Sequence, residues 1–261
     1  MSGWWRRWRR RRVLDQRAIP DALWHFTLLR FPFLAARDDA DLVALREMTT
    51  IFLADKEFTG TDGLVVTDAM AVAIAAQACL PALKLGMRWL DGFVGIVIHE
   101  DAVVARREIE DDDGVVHAYD EELSGEAMQG GPVMLAWRDV DDAGASAADG
   151  YNVVVHEFAH VIDMRGGVTA GLESADPESE RGRWLNALAD EYERFADALD
   201  RDEETFLDPY GGQSIEEFFA VAAEAFFVAP VALKAEQAPV YELLEGFFGQ
   251  DPARGRAAPA A

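Results

Sequence analysis

Apolar positions along the chain recur with two periods, and the change of period divides it into a helical start, a strand-rich middle and a helical end. Pro20 and Asp21 open a helix that runs through Leu29 and is closed by Pro32. From Asp39 to Phe58 the set Leu42, Leu45, Met48, Phe52 and Leu53 falls on one face of a second helix. Thr67 and Asp68 start an Ala-rich helix that reaches about Leu85 and stops at Gly86. It carries Cys79, which reads as a buried structural thiol. The period then shortens. Phe93–His99, Ala102–Arg107 and Pro132–Trp137 are Val- and Ile-rich runs of strand length. Between the last two, Glu108–Glu126 is dense in acids (Asp111, Asp112, Asp113, Glu121, Glu122) and reads as a solvated loop. After Gly150 helical spacing returns over Tyr151–Met164, Pro177–Leu199, Ser214–Phe227 and Val231–Phe247.

No repeat and no Gly/Ser-rich linker interrupts this order. The pattern predicts one α+β domain over residues 19–250, between a flexible basic tail at 1–18 and a loose end at 251–261. Charge sharpens the picture. Acids outnumber bases 48 to 24 and the formal net charge is −24, so the body repels phosphate and direct nucleic-acid binding is set aside. Residues 1–12, MSGWWRRWRRRR, run against that trend. Their reading is a frayed tail, with contact to an anionic membrane surface as the alternative. Val13 and Leu14 run straight into Asp15, so the start lacks the apolar stretch of a signal peptide. The apolar stretch 69–86 is broken by Gln77, Pro81 and Lys84 and does not span a membrane. With a single cysteine, a cytoplasmic protein is expected.

The chemistry sits in Val153-Val154-Val155-His156-Glu157-Phe158-Ala159-His160. Helical positions i and i+4 face the same way, so His156 and His160 can converge on one zinc ion. Glu157 is turned about 100° from His156 and reaches a water on the metal rather than the metal. The three valines alone favour a strand, and the motif overrules them. A third ligand is required, and no histidine follows His160; His25, His99 and His117 all precede the motif. A carboxylate from a later helix is therefore expected. Glu217 and Glu224 lie two turns apart on one face of Ser214–Phe227, among aromatic and small apolar residues. Ser214-x-x-Glu217 is also a capping box, and spacing alone leaves ligand and cap equally open for Glu217. Glu224 reads as a spare ligand or as an acceptor for an imidazole N–H. The strand Pro132–Trp137 is expected to line the cleft and offer a sheet edge to an extended substrate.

From about Ile19 to Phe248 the chain resembles the Mlc titration factor A family of bacterial zinc metallopeptidases. The likeness is carried by Lys56-Glu57-Phe58, by Ala75-Ala76-Gln77-Ala78-Cys79-Leu80, and by Asn152 with the motif that follows it. Asp208-Pro209-Tyr210 and Glu217-Phe218-Phe219-Ala220 complete it. A more distant likeness, confined to the metal helices, is to the catalytic domain of anthrax lethal factor. The resemblance implies a zincin-like fold, mostly helical, with a small mixed sheet beside the metal-motif helix. It implies His156, His160 and Glu217 as ligands of Zn2+, Glu157 as general base and Tyr210 as the hydroxyl that steadies the transition state. It also implies aminopeptidase activity on peptide substrates and binding of the glucose repressor Mlc. Asn152 and Asp163 match the family as well, and Asp163 reads either as orienting a ligand histidine or as stabilising the fold.

Overall fold

The basic start is a helix and not the frayed tail expected of it. In the computed structural model, which describes residues 3–93, 95–110, 116–128, 130–166, 168–169 and 175–256, Gly3–Gln16 forms α1. Arginine is a good helix former, and the acidic body supplies partners for the charge. Arg9 pairs with Asp55 at 2.7 Å and Arg10 with Glu47 at 3.1 Å. Such exposed pairs contribute about 0–1 kcal/mol each. Helices α2 (Asp21–Arg30) and α3 (Pro32–Ala35) follow, then α4 (Asp39–Asp55), capped by the Asp38 carboxylate. Helix α4 ends three residues before the Phe58 limit expected from its apolar face. Lys56 turns extended (φ −115°, ψ 146°), and Glu57–Gly60 leaves as strand β1.

Helix α5 (Asp68–Cys79) is capped by Thr67 and buried on nearly every side. It stops short of Leu85 because Pro81 has no N–H for the Gln77 carbonyl, which Leu80 N–H takes at 3.2 Å. The middle of the chain supplies β2 (Gly95–His99), β3 (Val103–Glu110), β4 (Val116–Leu123), β5 (Gly125–Ala127) and β6 (Val133–Ala136). One mixed sheet has the order β1-β2-β6-β5; β2 pairs parallel with β1 and β6, and β5 pairs antiparallel with β6. Strand β6 is therefore interior, with both its edges taken, and the edge expected there belongs to β5. A separate antiparallel hairpin, β3 with β4, occupies most of the stretch read as a loop. Its backbone register sets Glu121 opposite Ala105 and Glu122 opposite Val104, so two of the acids that argued for a loop belong to a strand. Asp111, Asp112 and Asp113 lie outside the described residues.

Trp137 opens α6 (Trp137–Ser146) rather than ending a strand. Helix α7 (Val153–Gly166) carries the metal motif, α8 (Glu180–Asp200) follows, and α9 (Ile215–Val228) is capped by Ser214. The single last helix expected over 231–247 is two, α10 (Pro230–Glu236) and α11 (Ala238–Phe248). Pro239 cannot donate back to Ala235, and Gln237 leaves the helical region at φ −137°. The next segment is pinned rather than loose: the Tyr241 hydroxyl donates to Asp251 at 2.6 Å and accepts from Ala253 N–H at 3.0 Å. Residues 257–261 lie outside the described residues. The protein is thus mostly helical with a small mixed four-strand sheet. Phe158 of α7 packs edge-on against Phe52 of α4 and against Phe93 beside the sheet, which seats α7 between the two. Among the described residues no helix is long and apolar enough to cross a membrane.

Candidate metal centre

Three consecutive valines form the first turn of α7, and two local facts explain why they are helical. Asn152 caps the helix, its side-chain oxygen accepting from Val155 N–H at 2.9 Å. Val153, Val154 and Val155 are also buried, so packing outweighs their preference for a strand. One turn on, the rings of His156 and His160 stand 4.8 Å apart, centroid to centroid. Their Nε2 atoms are 3.1 Å apart. The first turn of α9 brings Glu217 to them, with Oε2 3.0 Å from His156 Nε2 and 3.3 Å from His160 Nε2. One ligand atom from each of the three residues lies within 4.8 Å of the other two. The two readings of Glu217 divide between its atoms. Its backbone N–H donates to Ser214 Oγ at 3.3 Å, as in a capping box, while its carboxylate goes to the imidazoles.

Glu224 is not a spare ligand. One of its oxygens lies 2.7 Å from His156 Nδ1, and the other accepts from Asn152 N–H. Accepting from Nδ1–H fixes the ring, so that Nε2 faces His160 and Glu217. The Asn152 amide in turn donates to Gln77 Oε1 at 2.8 Å, and the Gln77 amide donates to Ala73 at 3.2 Å. Neither Gln77 nor Asn152 carries any chemistry of its own. Spacing could not assign them a role, because their partners are 75 residues apart. Asp163 bonds to no histidine among the described residues: its carboxylate accepts from the N–H and the hydroxyl of Thr169, both at 2.7 Å, and holds the segment after α7.

Glu157 is 5% exposed and stands under the edge strand. A Cβ on Gly125 of β5 would lie 2.5 Å from its Oε1. Burial pushes the Glu157 carboxyl up to about 7, against the pull of His156 and His160. Burial also opposes charge on Glu217, but hydrogen bonds from His156 and His160 outweigh it and hold that carboxyl at about 2. On His156 burial again works against charge, and Glu217 with Glu224 reverse it, keeping the imidazole well above its ordinary range. The cluster therefore recruits positive charge at the point its donors share. Tyr210, on the short turn Pro209–Gly212 before α9, has its ring 5.9 Å from that of His156. Tyr151, bonded through its hydroxyl to Ser124, is a neighbour that the helical pattern did not single out; burial raises its pKa, with Glu157 and Glu224 adding to the effect.

Two imidazoles and a carboxylate converging on one point, with a polar neighbour held back from the group, are a donor set that fits a divalent metal with an open position. Comparison with known proteins agrees. A family described as glucose-regulated metallo-peptidase M90 matches residues 5–249. The chain is 32% identical over 249 residues to an uncharacterized protein of Synechocystis sp., covering 95% of this chain and 90% of that one. It is 31% identical over 233 residues to proteins named Mlc titration factor A from Yersinia pestis and Yersinia pseudotuberculosis, covering 88% of this chain and 85% of each of those. The family match begins inside α1, so the basic helix expected to fall outside the likeness is mostly within it. Because the likeness runs through the whole fold instead of stopping at the motif helix, the chain belongs to the M90 family of metallopeptidases.

Proposed function

We propose that the protein is a zinc-dependent peptidase of the zincin-like kind, acting as an aminopeptidase on short peptides in the cytoplasm. In this reading His156, His160 and Glu217 hold the metal, Glu157 is the general base and Tyr210 is the oxyanion donor. One observation carries it: three ligand atoms meet within 4.8 Å, while Glu157 on the same helix is buried beside them and outside the group. Zinc bound there supplies a Lewis acid for the scissile carbonyl and for water. Glu157 accepts the proton of the attacking water and passes it to the leaving amine. Glu224 keeps the His156 ring in place through Nδ1. The Tyr210 hydroxyl donates to the developing oxyanion, a contribution of about 2.7–4 kcal/mol for a well-placed donor. The outer edge of β5 offers backbone groups to an extended peptide, and Gly125 keeps that edge close to Glu157. The aminopeptidase form rests on the family resemblance, and the acidic surface disfavours acidic peptides.

Metal analysis of the purified protein tests the assignment. About one zinc per chain is expected, with loss of zinc in Glu217→Ala. Wild-type protein without zinc, or a Glu217→Ala protein with stoichiometric zinc at unchanged affinity, overturns it. The name of the Yersinia relatives supports a second role, titration of a repressor of the Mlc type, toward which an acidic body steers a basic partner. A Glu157→Gln variant separates the two. Full biological effect favours titration, and loss of effect with zinc still bound favours hydrolysis.

A further inference from the structure

An open cavity of about 560 Å³ lies where the turn between α3 and α4, Lys84, and the chain after α11 meet. None of its walls comes from α7 or α9. Arg37 lines it, and the Nε and Nη2 groups of this side chain are closed off from solvent with no hydrogen-bond acceptor among the described residues. Its remaining nitrogen, Nη1, donates to the Ala36 carbonyl at 3.0 Å. Nε–H and Nη2–H are the two parallel donors on one edge of a guanidinium, the fork that matches two oxygens of a carboxylate or phosphate. Leaving that fork buried and unmatched is costly, and native interiors rarely do so. Gln250, on the same walls, has a buried Oε1 that also lacks a partner among the described residues, while its Nε2 donates to the Leu80 carbonyl at 3.0 Å.

Charge around the cavity favours an anion. Arg254 and Arg256 join Arg37 there, and Arg256 donates to the Ala36 carbonyl at 2.7 Å. The acids of the cavity are engaged elsewhere. Asp41 pairs with Lys84, Asp38 caps α4, and Asp251 accepts from Tyr241 and lies 3.8 Å from Lys234. Three guanidinium groups thus gather in a chain whose net charge is −24. Burial, and then the neighbouring Arg256, lower Arg37 to about 10, and Asp41 and Tyr241 offset this only in part.

We propose that this cavity binds a small oxyanion, a phosphate or carboxylate compound, through the unmatched Nε/Nη2 edge of Arg37, drawn out to the ligand, with Arg256 beside it. A ligand hydroxyl or protonated phosphate oxygen would satisfy Gln250 Oε1, which favours phosphate over a simple carboxylate.

The test is calorimetric titration of the full metal-loaded chain with inorganic phosphate and, in a parallel arm, with acetate. Saturable binding of phosphate is expected, weakened about tenfold or more in Arg37→Lys, which keeps a charge but loses the fork. Acetate binding as tightly as phosphate, with the same loss in Arg37→Lys, supports the site and assigns it to carboxylates. Arg256→Gln is the second variant, should Arg37→Lys fail to fold, and its phosphate affinity is also expected to fall. Absence of saturable binding of either anion to wild type, or unchanged affinity in the folded variants, overturns the proposal. Anion affinity is the readout, so the result does not depend on the reading of the metal centre.

Discussion

Glu224 bridges two elements at once: one carboxylate oxygen lies 2.7 Å from His156 Nδ1, and the other accepts from the N–H of Asn152, the residue that caps α7. The ring that faces Glu217 and the start of the helix that carries it are therefore fixed by a single side chain from α9. Glu224→Ala removes both contacts. Zinc affinity, measured by competition with a chelator, is expected to fall about 10–100-fold, the usual cost of losing a partner behind a ligand histidine. Glu224→Gln keeps an acceptor for the ring and is expected to lose less. Equal zinc affinity in wild type and Glu224→Ala would remove Glu224 from any positioning role.

Besides the helical bond its carbonyl accepts from His156 N–H, Asn152 makes three buried bonds of different kinds, so its replacement tests the frame rather than the chemistry. Asn152→Ala loses the cap, about 0.5–2 kcal/mol. It also strands the buried Gln77 Oε1, about 1–3 kcal/mol more. Urea unfolding should show a loss within the range of those two contributions. Asn152→Asp keeps an acceptor for Val155 N–H but offers no donor to Gln77 and sets a second carboxylate near Glu224. A stability equal to wild type for Asn152→Ala would show that the network bears no load.

Gly125 of the edge strand lies against Glu157, the proposed general base. An added Cβ would stand 2.5 Å from Glu157 Oε1 and 2.7 Å from its Cγ, closer than non-bonded atoms approach, so either the carboxylate or β5 must shift. The ligands are not touched. Gly125→Ala is expected to keep its zinc and to lose peptidase activity by about 10²-fold, the scale of effect for a displacement near 1 Å at a reacting group. Activity within a factor of two or so of wild type would sever the link between β5 and catalysis.

How much of this was legible depended on how far apart the interacting residues lie. The two histidines and Glu157 could be read because a helix repeats within four residues, and periodicity encodes that geometry directly. Glu217 was half legible: its apolar face and the cap both showed, but the choice between cap and ligand depends on where α9 docks, which spacing does not record. The resemblance implied the ligand, and in the structure the backbone N–H takes the cap while the carboxylate lies against the imidazoles. Strand β5 was hidden, since Gly125-Glu126-Ala127 lacks any strand-favouring residue and owes its conformation to pairing with β6. Of the β3–β4 hairpin, β3 was legible over Ala102–Arg107, while β4 was missed because its density of acids reads as a solvated loop. The cavity at Arg37 left no trace, being assembled from segments more than 200 residues apart.

Cys79 offers a prediction about stability that does not involve the metal. The side chain is fully buried in α5, and burial, only partly countered by a hydrogen bond with Thr49, raises its pKa far above the ordinary thiol value of 9.0. The thiolate is the reactive form, so native protein should resist a thiol reagent such as DTNB and react only as fast as it opens. The sign of the pH effect follows from the same shift. Below pH 9 the thiol is protonated in both folded and unfolded chains and makes stability no more pH-dependent. Above it the unfolded chain releases a proton that the folded chain retains, and stability is lost as pH rises, by about 1.4 kcal/mol per unit. Tyr151 and Tyr241 are raised by burial as well and steepen the fall from about pH 10, near the ordinary tyrosine value. The informative quantity is therefore the difference between wild type and Cys79→Ala, measured by urea unfolding between pH 8 and 10. The wild-type advantage should shrink once the pH passes 9. Parallel curves for the two proteins, or rapid labelling of the native thiol, would mean that Cys79 is not held neutral by the fold.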